Sequence, residues 1–393
     1  MNFLDSALFP ENQEKLVITA APYGPEWLPS DFPGEIAVSM DEQVQKAVDC
    51  YNAGATVLHV HVREADGKGS KRLSKFNELL GRLRVAVPDM ILQVGGSISF
   101  APENEGDAAK WLSDDTRHML AELTPTPDQV TVTVNTAQMN ILEQMEPADY
   151  AGTSLAEPAV AQAFREMIVP AGPTWAEEHI RRLSAKGIQS AFQFYNINSF
   201  ETVERMIRRG VYKGPLVMNW VAIGGGMDAP NIYNLANFLR ATPDGAMLTL
   251  ESSMRNVLPI NMMAIALGLH VRCGIEDNIW TQDHKSKLGT VKQIEQLVRL
   301  SREFGREIAT GKEARKILKI GTFYNSIEET LASNGFAPNR QSRDTFFAGG
   351  GVNDDPRGYG PDCAWLERSC SRALADTPGL AAAAGTHRRA DGP

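Results

Sequence analysis

The feature that most limits what this chain can fold into is an eightfold alternation of strand-like and helix-like segments. Residues 15–21, 55–63, 90–94, 129–134, 188–194, 215–221, 246–251 and 270–274 are short apolar runs that end in glycine, proline or polar clusters, and so read as buried strands. Segments with helical apolar spacing separate almost all of them. The clearest starts at Ser39 with Asp41 and Glu42 in its first turn and closes at Asn52-Ala53-Gly54, a capping residue at one end and a glycine stop at the other. Eight such units over roughly 260 residues close a ring, and no glycine fingerprint of a dinucleotide fold follows the first strand. An α/β protein built as a (β/α)8 TIM barrel is therefore expected, in preference to an open sheet.

Two departures from the simple barrel are visible. Residues 135–173 are too long for a plain connection and contain breakers such as Pro158, so they read as an elaborated loop between the fourth strand and its helix, over the active-site face. After the eighth strand, residues 291–300 and 313–320 supply extra C-terminal helices. Residues 1–341 are taken as the catalytic barrel with a short N-terminal arm. Beyond them the composition turns to Gly, Asp, Pro and Arg, and residues 342–393 read as a tail, loosely ordered or packed on a neighbouring subunit.

Composition excludes some functions. The 393 residues carry a net charge of −9 with Lys and Arg scattered, which leaves no electrostatic footprint for nucleic acid. No window has the run of about 18 apolar residues a membrane span requires, and the first residues lack a basic, then apolar leader, so a cytoplasmic protein is expected. The four cysteines show no zinc-knuckle or redox spacing. Cys273, between Arg272 and Gly274, reads as a small buried hydrophobe in preference to a nucleophile, because no histidine lies in its own neighbourhood.

Chemistry concentrates in the second and eighth strands. In Leu58-His59-Val60-His61-Val62 the side chains alternate, so His59 and His61 share one face about 6–7 Å apart along the strand while the aliphatic residues share the other. The pair reads either as core histidines satisfied by hydrogen bonds or as two ligands of one metal ion. Arg272, Glu276 and Asp277 lie at the end of the eighth strand and read either as a structural ion pair or as part of a site. A barrel brings all strand ends to one face, where two imidazoles and one carboxylate form a common ligand set for a catalytic zinc.

The joint pattern resembles a known family. The run Val17-Ile18-Thr19-Ala20-Ala21-x-x-Gly24-x-Glu26, the run Gly54-Ala55-x-Val57-x-His59-x-His61-x-Arg63-x-x-Asp66-Gly67, and His270 through Asn278 are similar to the β-keto acid cleavage enzymes, the 3-keto-5-aminohexanoate cleavage family. Ile223-Gly224-Gly225-Gly226-Met227 and Leu297 through Arg315 extend the likeness over roughly residues 15–335. The resemblance implies a zinc-dependent transferase that condenses a β-keto acid with acetyl-CoA to give acetoacetate and a new acyl-CoA. It implies zinc on His59, His61 and Glu276, and a basic dyad of Arg272 and Asp277. It implies substrate contacts from Glu26, Ser97, Thr131, Thr133, Gln193 and Asn219, acetyl-CoA contacts from Gly225, Gly226 and Arg255, and a homo-oligomer, dimer or tetramer. A CoA-independent zinc hydrolase or lyase on the same barrel is the alternative.

The chain departs from the family in its pocket. Gly95-Gly96-Ser97 stands where Ser-Thr-Gly-Gly is common, so a substrate serine is either shifted to Ser97 or missing. Ser190-Ala191-Phe192-Gln193 replaces Pro-Glu-x-Glu, Thr133 replaces a frequent asparagine, and Glu251-Ser252-Ser253-Met254 replaces the usual glycines. With both acids of the fifth strand gone and only Glu26 left, a neutral or weakly polar keto acid is expected in place of an amine-bearing one.

Overall fold

The computed structural model describes residues 1, 3–4, 6–96 and 117–340; Ser97 and the 342–393 tail lie outside these. Eight strands, β1 (Ile18–Ala20), β2 (Val57–Val60), β3 (Ile91–Val94), β4 (Gln129–Thr133), β5 (Gln189–Phe194), β6 (Val217–Ala222), β7 (Met247–Ser252) and β8 (His270–Cys273), form a closed barrel. Each strand pairs in parallel with its neighbours in the sequence, and β8 closes on β1 through Ile18–Val271, Thr19–Arg272 and Ala20–Cys273. The fold is a TIM barrel.

Helices α1 (Met40–Ala53), α2 (Leu73–Ala86), α3 (Pro173–Ala185), α4 (Ile197–Arg208), α5 (Ile232–Ala241), α6 (Val257–Ala266) and α7 (Thr290–Phe304) wrap the sheet. The α1 ends follow the sequence signals: Ser39 and Glu42 form a reciprocal capping box, and Gly54 ends the helix in the left-handed region at φ 118°. Strand alternation sorts the side chains. Val130 and Val132 of β4 and Leu248 and Leu250 of β7 point out into the main core beneath the helices, and the intervening polar residues point into the barrel. Helices α8 (Gly311–Ile317) and α9 (Ile327–Ser333) follow, and Leu318 just after α8 joins Val17, Val57, Ile91, Val217 and Met247 in an apolar floor.

The segment between β4 and α3 is more ordered than a plain loop. Ala137–Gln138 pairs antiparallel with Ile168–Val169, and short helices Pro147–Tyr150 and Pro158–Arg165 fill the space between. Met139, Ile141, Leu142, Leu155 and Phe164 of this segment are buried in a second apolar cluster with Trp27, Val221, Ile223 and Ile275. That cluster roofs the C-terminal face of the barrel. Cys273 is buried with its thiol pushed far up by burial, as expected of a packing residue.

His270 opens β8 and is neutral for a structural reason. Its Nδ1 accepts from the Val17 amide at 3.3 Å, and burial, with Arg306 adding to it, pushes the imidazole down to about 3. A histidine depressed below its ordinary 6.5 contributes stability that is present above that value and is lost as the pH falls toward 3. The expected slope is about 1.4 kcal/mol per pH unit. Urea unfolding at pH 7.5 and 5.0 should show wild type losing roughly 2 kcal/mol more than His270→Gln over that interval. Identical pH dependence in the two proteins would assign the acid lability to other groups.

Candidate active site

The C-terminal ends of the strands open into a cavity lined by Glu26 and Trp27, both histidines of β2, Thr131 and Thr133 of β4, Gln193 and Tyr195 at β5, Glu251 through Met254 at β7, and Arg272, Glu276 and Asp277 at β8. His59 and His61 are both buried although the second lies one residue past the strand end. Their Nε2 atoms meet at 3.1 Å, and Glu276 Oε1 lies 3.4 Å from His59 Nε2 and 3.6 Å from His61 Nε2. Gly95, at the end of β3, makes room for this convergence, since a Cβ there would collide with the His61 ring.

These three atoms fit a zinc ion. Ligands about 2.0–2.2 Å from a tetrahedral centre stand roughly 3.3–3.6 Å from one another; the two edges to Glu276, 3.4 and 3.6 Å, have that size and the edge between the imidazole nitrogens, 3.1 Å, is slightly shorter. His59 Nδ1 is engaged with Gln93 Oε1 at 2.9 Å; the amide oxygen accepts, which places the proton on Nδ1 and leaves Nε2 as a lone pair toward the cavity. Glu276 Oε2 is buried without a hydrogen-bond partner. The charges agree as well. Glu26, Glu251, Glu276 and Asp277 line the cavity together with two cations, Arg117 and Arg272, so acids outnumber cations and a bound dication would relieve the remaining negative charge.

Burial, crowding and Arg272 act on these acids in opposing senses. Burial pushes Glu26 up to about 8, with Glu276 adding to it, and burial likewise raises Glu251 to about 8 against the opposing charge of Arg272. Burial lifts Asp277 to about 6 although Arg272 pulls it back. Glu276 goes the other way: burial would raise it, but Arg272 and the two imidazoles hold it well below the usual carboxylate range. Burial pushes His59 down to about 4 despite its acidic neighbour. Glu276 as a carboxylate and His59 as an unprotonated imidazole are thus in the forms in which such groups bind metal.

Arg272 grips Asp277 through Nε at 2.9 Å and a terminal nitrogen at 2.8 Å, a fork against the carboxylate. The same guanidinium reaches Glu276 at 2.6 Å and lies 3.5 Å from Glu251, so Arg272 is the hub of three acids, where the sequence suggested a dyad. Asp277 is also held through its backbone, whose carbonyl accepts from the Met254 amide at 2.7 Å. Met254 itself sits at φ 50°, a left-handed conformation that costs a non-glycine residue about 1 kcal/mol and is often found at functional sites.

The remaining expected contacts divide into two groups. Glu26, Thr131, Thr133 and Gln193 line the cavity; Thr131 Oγ1 accepts from the Gly96 amide at 2.6 Å, and Thr133 shares a 2.7 Å hydrogen bond with the Tyr195 hydroxyl. Asn219 is just beneath them, where its amide donates to Gln193 Oε1 at 3.1 Å and to Glu251. Gly225, Gly226 and Arg255 are outside the lining. A Cβ at either glycine would strike the backbone carbonyl of Asn140 or Gln138, so these glycines let the β6 loop lie against the long β4 insertion. Arg255 binds Asp149 and Glu146 of the same insertion, each at 3.3 Å.

Glu251 is the residue sequence reasoning passed over as a mere loss of glycines. The signal was available in the alternation of β7, where Met247 and Thr249 face inward and Glu251 must follow. Ser253, whose buried hydroxyl has no partner, lines the cavity as well. No helix among the described residues is long and apolar enough to cross a membrane.

Comparison with known proteins gives the family and the fold. The family described as beta-keto acid cleavage enzyme matches residues 15–320. A 3-keto-5-aminohexanoate cleavage enzyme of Acetoanaerobium sticklandii is 27% identical over 310 residues, covering 78% of this chain and 99% of that protein. A 3,5-dioxohexanoate:acetyl-CoA acetone transferase of Paraburkholderia graminis is 24% identical over 321 residues, covering 78% and 96%. Among solved structures, the binary complex of ObcA with oxaloacetate has a TM-score of 0.52 at 14% identity over 73% of this chain and 68% of that one, a likeness of fold.

Proposed function

This chain belongs to the β-keto acid cleavage enzyme family, and from that premise we propose that it transfers the acyl part of a β-keto acid to CoA, with acetyl-CoA as co-substrate and acetoacetate as the second product. The observation that carries the reading is the meeting of His59, His61 and Glu276 in one cavity with the Arg272–Asp277 pair. The use of acetyl-CoA is supported by the names of relatives, among them the acetone transferase above and a 3-oxoadipate:acetyl-CoA acetyltransferase of Cupriavidus necator.

His59, His61 and Glu276 would hold zinc, which supplies a Lewis acid for the negative charge that develops on a keto oxygen. Asp277 is the base: raised to about 6, it is ionised at neutral pH yet more basic than an ordinary carboxylate, and it takes the proton from the carbon between the keto and carboxylate groups. Arg272 aims the Asp277 carboxylate and balances the charge that the proton transfer moves. The β4 insertion and Trp27 cover the face and keep water from the reacting carbon.

The pocket favours a substrate with an apolar or weakly polar chain. Met139, Ile141, Met145, Val221, Ile223 and Met254 form its apolar wall. Gln193 Nε2 is buried without a partner and is a donor for a carbonyl or hydroxyl oxygen, which an ammonium group would not satisfy. Glu251 adds an acid beyond the single Glu26 expected, but Asn219 and Arg272 already engage it. Purified zinc-loaded protein with acetyl-CoA and a panel of β-keto acids should form acetoacetate and prefer neutral chains in kcat/KM. Gln193→Glu should shift preference toward amine-bearing acids by roughly ten-fold. Cleavage of the keto acid without CoA would favour the hydrolase or lyase instead, and a wild-type preference for 3-keto-5-aminohexanoate over its deaminated analogue would refute the pocket assignment.

A further inference from the structure

Beneath His59 the barrel interior contains a row of three buried glutamines whose purpose the reaction does not explain. Gln93 of β3, Gln129 of β4 and Gln189 of β5 are in register across adjacent strands, Gln93 opposite Gln129 and Gln129 opposite Gln189, and His59 of β2 is opposite Gln93. Gln129 and Gln189 are fully buried and Gln93 nearly so. His59 and Gln93 are the third residues of their strands, while Gln129 and Gln189 are the first of theirs. Because of this offset the row descends from the catalytic face toward the barrel floor.

Every amide in the row is hydrogen-bonded in one sense. Gln189 Nε2 donates to the carbonyls of Leu318 and Lys319 at 3.0 and 3.1 Å. Its Oε1 accepts from Gln129 Nε2 at 2.6 Å, Gln129 Oε1 accepts from Gln93 Nε2 at 2.9 Å, and Gln93 Oε1 faces His59 Nδ1 at 2.9 Å. The sense is fixed from the bottom. Leu318 caps the C-terminus of α8, and Lys319 follows it in the left-handed region at φ 49°, so their carbonyls belong to a helix end whose oxygens have no intrahelical partner and carry partial negative charge. A carbonyl only accepts, so Gln189 must turn its NH2 downward. Reversing any one amide would set oxygen against oxygen or NH2 against NH2 in a buried place, at a cost of about 1–3 kcal/mol for each unmatched group.

We propose that Gln93, Gln129 and Gln189 are positioning residues that relay orientation from the end of α8 to His59, fixing its proton on Nδ1 and aiming the Nε2 lone pair into the cavity. The relay rests on the assignment of His59 as a metal ligand for its purpose, but not for its existence. It makes metal affinity depend on residues that never touch the metal and stand as far away as the barrel floor.

The test reads the tautomer directly. In zinc-free protein carrying 15N-labelled histidine, long-range 1H–15N spectra report which ring nitrogen holds the proton, with the His59 signal assigned by its loss in His59→Gln. Wild type should show Nδ1–H alone. Gln129→Met removes the link while keeping volume, so Gln93 is free to turn; a mixture of tautomers should appear, and zinc affinity measured by chelator competition should weaken roughly ten-fold or more. Adding Gln93→Glu to that variant supplies a group that can only accept, and should restore both Nδ1–H and affinity to within about three-fold of wild type. A general loss of packing would not be repaired by that second change. An Nε2–H tautomer in wild type, an unchanged tautomer and affinity in Gln129→Met, or no recovery in the double variant would each overturn the relay. Should Gln129→Met not fold, the wild-type tautomer and the same two measurements on Gln189→Met, which frees Gln129 and through it Gln93 to turn and should likewise mix the tautomers and weaken zinc binding, decide the matter. Wild type with Nδ1–H but no zinc binding would uphold the relay and end the metal assignment.

Discussion

Asp277→Asn should lower turnover by 10²–10⁴-fold, the range typical of losing a positioned general base, and leave zinc content near wild type. The substitution preserves shape. It replaces a carboxylate that burial lifts to about 6 with an amide that accepts no proton at any working pH. Asparagine still offers one oxygen to Arg272, so the guanidinium retains part of its fork and its contact with Glu276. Two measurements separate chemistry from architecture: metal per chain, which should not move, and kcat at saturating substrate, which should collapse while KM changes little. Wild-type turnover in the variant would reduce Asp277 to an ion-pair partner of Arg272. Loss of metal along with activity would show instead that the carboxylate supports Glu276, because Arg272 touches both acids.

The barrel was legible because each strand announces itself locally. Branched residues, alternation and glycine or proline stops need only a few neighbours to act, and all eight runs form strands within a few residues of their expected limits. His59 and His61 were legible for the same reason, since a two-residue period places both on one face whatever surrounds them. Glu276 and Asp277 needed one further idea, that strand ends meet on one face. The glutamine relay needed the register between strands, which is set by barrel closure and leaves no mark on any single segment. Glu251 was hidden by comparison itself: seen as the loss of a glycine, it was not read as an acid delivered to the pocket. Gly225, Gly226 and Arg255 illustrate the converse. Each fits a ligand-binding pattern in sequence, yet the two glycines are required by a carbonyl on the β4 insertion and Arg255 by two acids there, contacts between segments more than 80 residues apart.

The other large effect belongs to the metal. Purified wild type should carry about one zinc per chain, and His61→Ala should carry almost none after dialysis against a weak chelator. With His59, His61 and Glu276 as the proposed ligands, the ion would have three protein ligands in the wild type and two in the variant, and neither neighbour could replace the missing nitrogen. Gly95 has no side chain, and Glu276 can offer its second oxygen only by giving up geometry around the first. Removing a group that merely orients a ligand costs 10–100-fold in affinity, so removing a ligand should cost more than the upper end of that range. Stability gives an independent reading. Zinc at about a thousand times its Kd stabilises a folded protein by roughly 4 kcal/mol, so wild type should gain several degrees in Tm on adding zinc, and His61→Ala should gain almost nothing at the same concentration. In the metal-free state the variant should melt close to wild type, since the lost imidazole leaves a space at the edge of a polar cavity that water can enter. A variant that retains stoichiometric zinc, or whose Tm rises with zinc as far as wild type, would place the ion on other residues.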